Sequence, residues 1–311
     1  MKTYLGLDTS NYTTSAAYYC PESNTLCQNK KLLPVKEGEL GLRQSDALFH
    51  HVRQLSPIIQ DLWNNNQGEI AAVCVSDKPR NAEGSYMPCF LAGKLVAEAA
   101  GTLMHVPVYY VSHQEGHIMA ALYSAEKLEY RHQEFLAFHV SGGTFEVLHV
   151  RPSTERIIEA TILAHTLDIS AGQLIDRVGQ LLGLGFPAGP ALEKLAAQGK
   201  CIQRRKPVLK NGCCCLSGFE NIAMRLKEQG CTSEDICRTV LEHIAQVLIS
   251  MTDYALQTAG NLPLVYSGGV MANTYLKEQL AHQYQCAFAE PVYSADNACG
   301  TALLGWLLDN R

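Results

Sequence analysis

The chain carries no CxxC pair among its 12 cysteines, no apolar run of eighteen residues, and fewer basic than acidic side chains, 25 against 30. Without paired cysteine spacing or an apolar leader, the thiols are expected to be reduced in a cytosolic protein, not linked in a secreted disulfide framework. Met1 to Asp8 starts a strand instead of a signal peptide, and a transmembrane helix is not expected. The formal charge of -5 excludes a self-sufficient basic nucleic-acid binder, so RNA binding would need a local patch or helper proteins. A hydrolytic H-E-x-x-H motif is also missing. In His113-Gln-Glu-Gly-His117 the place after the first His belongs to Gln114, and Glu115 falls about 100 degrees further round a helix.

What is present is organised around Val106 to His117. An apolar extended run to Val111 is followed by Ser112 as a helix N-cap, then by histidines at i and i+4. One helix face therefore presents His113 and His117, either to a single metal ion or to ordinary neighbours. Asp296 follows a short C-terminal strand, where it could add the carboxylate that completes a metal site.

At 311 residues and 47% apolar, the chain suits two domains or two fused α/β halves. Strands are expected over Tyr4–Asp8 and Thr14–Tyr19 around the turn Thr9–Thr13, over Ile70–Val75, Phe135–Val140, Phe145–Val150, Leu262–Tyr266 and Gln285–Phe288. Leu26 to Gly41 reads as strand then loop. Helices are expected over Ser45–Trp63, with Leu48, Val52, Leu55, Ile59 and Leu62 on one face, and over Phe90–Ala100. Further helices are expected over most of Ile157–Leu182 and over Ala191–Gln198, Ser233–Thr258 and Cys299–Leu308, with one after Leu216–Phe219 and one headed by Asn273. Residues 65–67 are read as part of a helix-ending turn, and Leu122–Gln133 as a connector.

Two strand-turn-strand units, one carrying Ser10 and Thr13 and the other Ser141 and Thr144, suggest an internal duplication. Gly142 and Gly143 allow backbone N–H groups to surround an anion, or simply close a hairpin. Gly268, Gly269 and Asn273 suit either nucleotide contact or a turn and helix cap. Lys78 and Arg80 lie in the polar loop Ser76–Gly84, past a strand's carboxyl end. They could hold an anion there or stand in solvent. Arg204, Arg205, Lys206 and Lys210 make the segment 199–210 basic.

Taken in order, Gly6–Ser10, Ser112–His117, Val140–Gly143, Asp176, Leu181–Pro190, Ala196–Gly199, Ser217–Phe219, Ser267–Asn273 and Ala295–Asn297 resemble the tRNA threonylcarbamoyladenosine transferase family, the O-sialoglycoprotein endopeptidase-like or peptidase M22 group. The likeness covers nearly the whole chain. It implies an actin-like ATPase (ASKHA) fold, with two duplicated ribonuclease-H-like halves, 1–122 and 123–311, around a central cleft. It implies His113, His117 and Asp296 as ligands of one divalent metal, Fe2+ or Zn2+. Ser141, Gly142, Gly143, Asp176, Gly189, Gly268, Gly269 and Asn273 would contact an adenine nucleotide, ATP or threonylcarbamoyl-AMP. The implied reaction passes threonylcarbamoyl to the adenosine beside the tRNA anticodon, within a possible hetero-oligomeric modification complex in the cytoplasm. Asp8, Tyr12, Lys78 and Arg80 are the candidate catalytic residues. Tyr12 and Thr13 stand where the family has acids, Thr144 where it has His, and Asp77–Asn81 where it has Gly-Pro-Gly-Leu. A phenol with pKa near 10 cannot substitute for a carboxylate base, which leaves open a carbamoyl-type transferase with another, anionic acceptor or a non-catalytic nucleotide-binding partner subunit.

Overall fold

A computed structural model describes residues 1–10, 12–34, 42–64 and 68–311. The expected loop over 35–41, the turn at 65–67 and Asn11 of the first hairpin lie outside the described residues. Two compact units emerge: Met1–Arg131 with Pro152–Ala160 and Tyr293–Arg311, and His132–Arg151 with Thr161–Val292. A division into 1–122 and 123–311 would assign the C-terminal segment to the second half, whereas Tyr293–Arg311 groups with the first unit.

The first unit contains β1 (Lys2–Asp8), β2 (Thr13–Cys20), β3 (Thr25–Leu32), α1 (Gln44–Trp63), β4 (Glu69–Lys78), α2 (Phe90–Met104), β5 (Val108–Ser112) and α3 (His113–Ser124). Its sheet runs β3-β2-β1-β4-β5, antiparallel across the first three strands and parallel across the last three. All of β1 beyond Lys2 is buried, as expected for a central strand covered on both faces. Side chains alternate along a strand, so Leu5 and Leu7 enter one core with Leu55, Ile58 and Ala97. Tyr4, Gly6 and Asp8 therefore face the other side.

The second unit contains β6 (Phe135–Val140), β7 (Phe145–Ser153), β8 (Ile157–His165), α4 (Ala171–Leu181), α5 (Gly189–Ala196), α6 (Ser217–Glu228), α7 (Ser233–Ala259), β9 (Leu264–Ser267), α8 (Thr274–Ala281) and β10 (Cys286–Phe288). The tip of the β7–β8 hairpin is counted with the first unit. The sheet order β8-β7-β6-β9-β10 repeats that of the first unit strand for strand. A short α9 (Pro291–Ser294) leads to α10 (Cys299–Asp309). Among the described residues, no helix is long and apolar enough to cross a membrane, and the cysteines are free.

Several expected elements move. Ile157–His165 is a strand, not the start of a helix: Ile157, Ile158, Thr161 and Ile162 are β-branched, which suits a pleated edge, and Ile158 and Ala164 are its fully buried residues. The helix is confined to α4, which Ser170 starts by capping Gln173 N–H. Strand β4 continues through Asp77 and Lys78, so Lys78 ends a strand instead of lying in the loop. Val52 is 57% exposed while His51 is fully buried against Thr14, so the inward face of α1 is turned from the apolar stripe. The connector Leu122–Gln133 holds the end of α3 and a 3-10 turn over Leu128–His132.

Candidate metal centre

Strand alternation puts Asp8 on the face of β1 that packs against α10 and meets the start of α3. Close approach of α3 to α10 depends on glycine: a Cβ on Gly300 would lie 1.8 Å from the Gly116 carbonyl oxygen. Ser112 begins α3 as expected. Its hydroxyl accepts the Glu115 N–H at 3.2 Å, while Glu115 Oε2 accepts the Ser112 N–H at 2.6 Å. The same carboxylate takes two hydrogen bonds from Arg156, at 2.8 and 2.9 Å. Glu115 thus starts and anchors the helix and is not free to serve as a general base.

With α3 fixed, His113 and His117 project to one side. Their Nε2 atoms are 2.9 Å apart, and Asp296 Oδ1 lies 3.2 Å from His117 Nε2 and 3.6 Å from His113 Nε2. All three candidate ligand atoms fall within 4.8 Å of one another. Around a tetrahedral ion with bonds of about 2.0–2.1 Å, ligand atoms stand about 3.3 Å apart, so this set needs little adjustment to hold one. Asp296 is placed by its neighbour Asn297, whose Nδ2 donates to the Ala295 and Tyr293 carbonyls and whose Oδ1 accepts the Cys299 N–H.

Behind the triad, His113 Nδ1 lies 2.8 Å from Asp8 Oδ2. A proton on Nδ1 turns the Nε2 lone pair toward His117 and Asp296. Ser10 N–H and Oγ–H both donate to the other Asp8 oxygen. Burial disfavours charge on His113, but the Asp8 carboxylate, seconded by Asp296, outweighs it and lifts the imidazole to about 10. Burial likewise opposes ionisation of Asp8 and Asp296. The facing imidazoles nevertheless hold both carboxyls below their ordinary range, Asp296 well below it. Ser10, 3.4 Å from His113 Nε2, and Lys30, whose Nζ donates to the Asp296 carbonyl at 3.4 Å, also border this cluster. Sequence spacing could not show that β3 brings Lys30 here.

The other expected catalytic residues are not joined to the triad by any described contact. Tyr12 is 42% exposed, and its carbonyl accepts the Leu33 N–H. Lys78 Nζ lies 3.9 Å from Asp77 Oδ1, and Arg80 takes Ser85 Oγ on its backbone N–H.

In the second unit, Ser141 Oγ accepts the Thr144 N–H at 3.0 Å, and the Gly142 carbonyl accepts Ser170 Oγ–H at 2.7 Å. Gly268 has φ +102 and sits where a Cβ would be 2.2 Å from the Val140 carbonyl, bringing its turn, with Gly269, against the Ser141 loop. Asp176 accepts the Ala188 N–H at 2.8 Å beside Gly189. Asn273 caps α8 by accepting the Leu276 N–H at 3.0 Å. Glu193, which sequence analysis did not single out, joins these two elements by accepting the Thr274 N–H at 2.7 Å. Its place one turn past Gly189 was the available signal.

The sequence profile of the tRNA N6-adenosine threonylcarbamoyltransferase family matches residues 36–303. This chain belongs to that family. The tRNA N6-adenosine threonylcarbamoyltransferase of Herminiimonas arsenicoxydans is 28% identical over 320 aligned residues, covering 97% of this chain and 90% of that protein. That of Methanopyrus kandleri is 27% identical over 274 residues, covering 86% and 75%. Among solved structures, full-length HypF in its phosphate- and nucleotide-bound form superposes with a TM-score of 0.61 at 12% identity, over 99% of this chain and 46% of HypF. Component A of the Acidaminococcus fermentans (R)-2-hydroxyglutaryl-CoA dehydratase gives 0.56 at 14% identity over the whole of both chains. The fold is the actin-like ATPase (ASKHA) fold with duplicated ribonuclease-H-like halves. As a member of the threonylcarbamoyltransferase family, the chain is a transferase with carbamoyl-transfer-type chemistry.

Proposed function

We propose that this enzyme transfers threonylcarbamoyl from threonylcarbamoyl-AMP to the adenosine beside the tRNA anticodon. The observation that carries the reading is the convergence of His113, His117 and Asp296 within 4.8 Å, on a chain matched by the family over residues 36–303. These three side chains would hold one divalent ion, Fe2+ or Zn2+, which when bound would polarise the carbonyl under attack or fix an adenylate oxygen. Asp8 would keep the His113 lone pair aimed at the ion. Gly142 and Gly143 would receive oxyanion charge on backbone N–H groups, in a loop that Ser141 closes by donating its N–H to the Thr144 carbonyl. Asp176, Gly189, Gly268, Gly269 and Asn273 would build the adenine-nucleotide contacts. Because the chain is acidic overall, tRNA delivery is assigned to helper proteins in a cytoplasmic modification complex.

A second reading keeps this metal and nucleotide machinery but takes an anionic acceptor other than tRNA. It is favoured by Lys78 at the carboxyl end of β4, paired in register with Ser112, with Arg80 nearby in sequence, and by Tyr12 at the family's acidic position. Incubating metal-loaded protein with labelled threonylcarbamoyl-AMP and unmodified tRNA, with and without companion modification proteins, separates the two. Mass-spectrometric detection of modified adenosine supports the first. Bound adenylate without modified tRNA in either condition rejects it.

A further inference from the structure

A cavity of about 160 Å3 in the second unit shares no residue with the assigned machinery. Phe219 of α6 and His243 of α7 form part of its wall, their rings stacked at 7° with centroids 3.8 Å apart. Ile222, Val247 and Pro207 make further apolar wall. At its edge stand Arg205 and Lys206, both exposed, from the basic segment 199–210. The neighbouring Arg204 is drawn to Glu242 at 3.6 Å, while among the described residues no ion pair engages Arg205 or Lys206.

A slot walled by this aromatic stack, with two cations at its rim, matches a planar heteroaromatic ring bearing an anion.

We infer that this cavity is a second nucleotide site, taking the ring of one unpaired nucleotide along the Phe219–His243 wall and its phosphate on Arg205 and Lys206. Its size admits one base, not a run of them. The same chemistry is offered by a free mononucleotide or by one residue of a single RNA strand.

Calorimetric titration of the full chain with UMP, uridine, inorganic phosphate and an oligouridylate of about ten nucleotides tests this. Binding is expected to weaken at least about tenfold in Arg205→Ala/Lys206→Ala and in His243→Leu, which removes an aromatic ring from the wall. Asn273→Ala, in the proposed adenylate site, should leave this binding intact, which separates the inference from that reading. Preference for the oligonucleotide over UMP assigns the site to an RNA strand, and equal binding assigns it to a free nucleotide. The inference is overturned if no probe binds, if phosphate alone binds as tightly as UMP, if all the cavity variants bind normally, or if Asn273→Ala abolishes binding.

Discussion

Asp8 Oδ2 and His113 Nδ1 stand 2.8 Å apart, although 105 positions separate the two residues in the chain. The contact decides which imidazole nitrogen faces the candidate metal position. Carboxylates that orient a ligating histidine typically contribute about 10–100-fold in metal affinity. Asp8→Asn should therefore weaken metal binding by about that factor while leaving the fold intact, measured by competition with a chromophoric chelator. His113→Ala should abolish stoichiometric binding. Unchanged metal content in both variants would remove the site assignment.

Gly300→Ala places a methyl group against the Gly116 carbonyl, a backbone atom that cannot swing aside. Because Asp296 and the two histidines lie on segments joined through this contact, stability and metal affinity should fall together. Overpacking of this kind costs about 1–3 kcal/mol. Urea unfolding and metal titration of the same variant check both effects.

Ser112→Ala removes one half of the capping box and should lower unfolding free energy by about 1 kcal/mol. Glu115→Ala should cost more, since it also strands the Arg156 guanidinium that donates to Glu115 twice. If Glu115 instead served as a base, its loss would lower the transfer rate without changing the denaturation midpoint.

His243 is pushed down to about 4 by burial, with the positive Arg205 adding to the effect. An unfolded histidine titrates near 6.5, so its neutral form favours the fold above that pH and the contribution is lost as pH falls from about 6.5 through 4. The wild type should lose at most about 3 kcal/mol more than His243→Phe over that window. Urea midpoints from pH 7 to 4 for both proteins give the difference. Parallel curves would show that His243 is not held neutral by its surroundings.

Periodicity and capping residues alone determined much of this protein. Short, nearly continuous apolar runs marked β1, β2, β6 and β9, and Ser112 marked the start of α3, because these signals depend on a few neighbouring residues. The i,i+4 spacing placed His113 and His117 on one face for the same reason. Ile157–His165 was harder to read: as the edge strand of its sheet it buries only two side chains, leaving little alternation to distinguish it from a helix. Tertiary structure decided what local pattern could not carry. Alternation in β1 sends Asp8 toward α3, close packing at Gly300 draws the Asp296 segment in, and β3 brings Lys30 beside it. The cavity wall joins α6, α7 and a basic segment with no periodicity of its own. Each of these juxtapositions depends on which faces are buried against one another, and burial is settled only when the whole sheet and its covering helices have closed together.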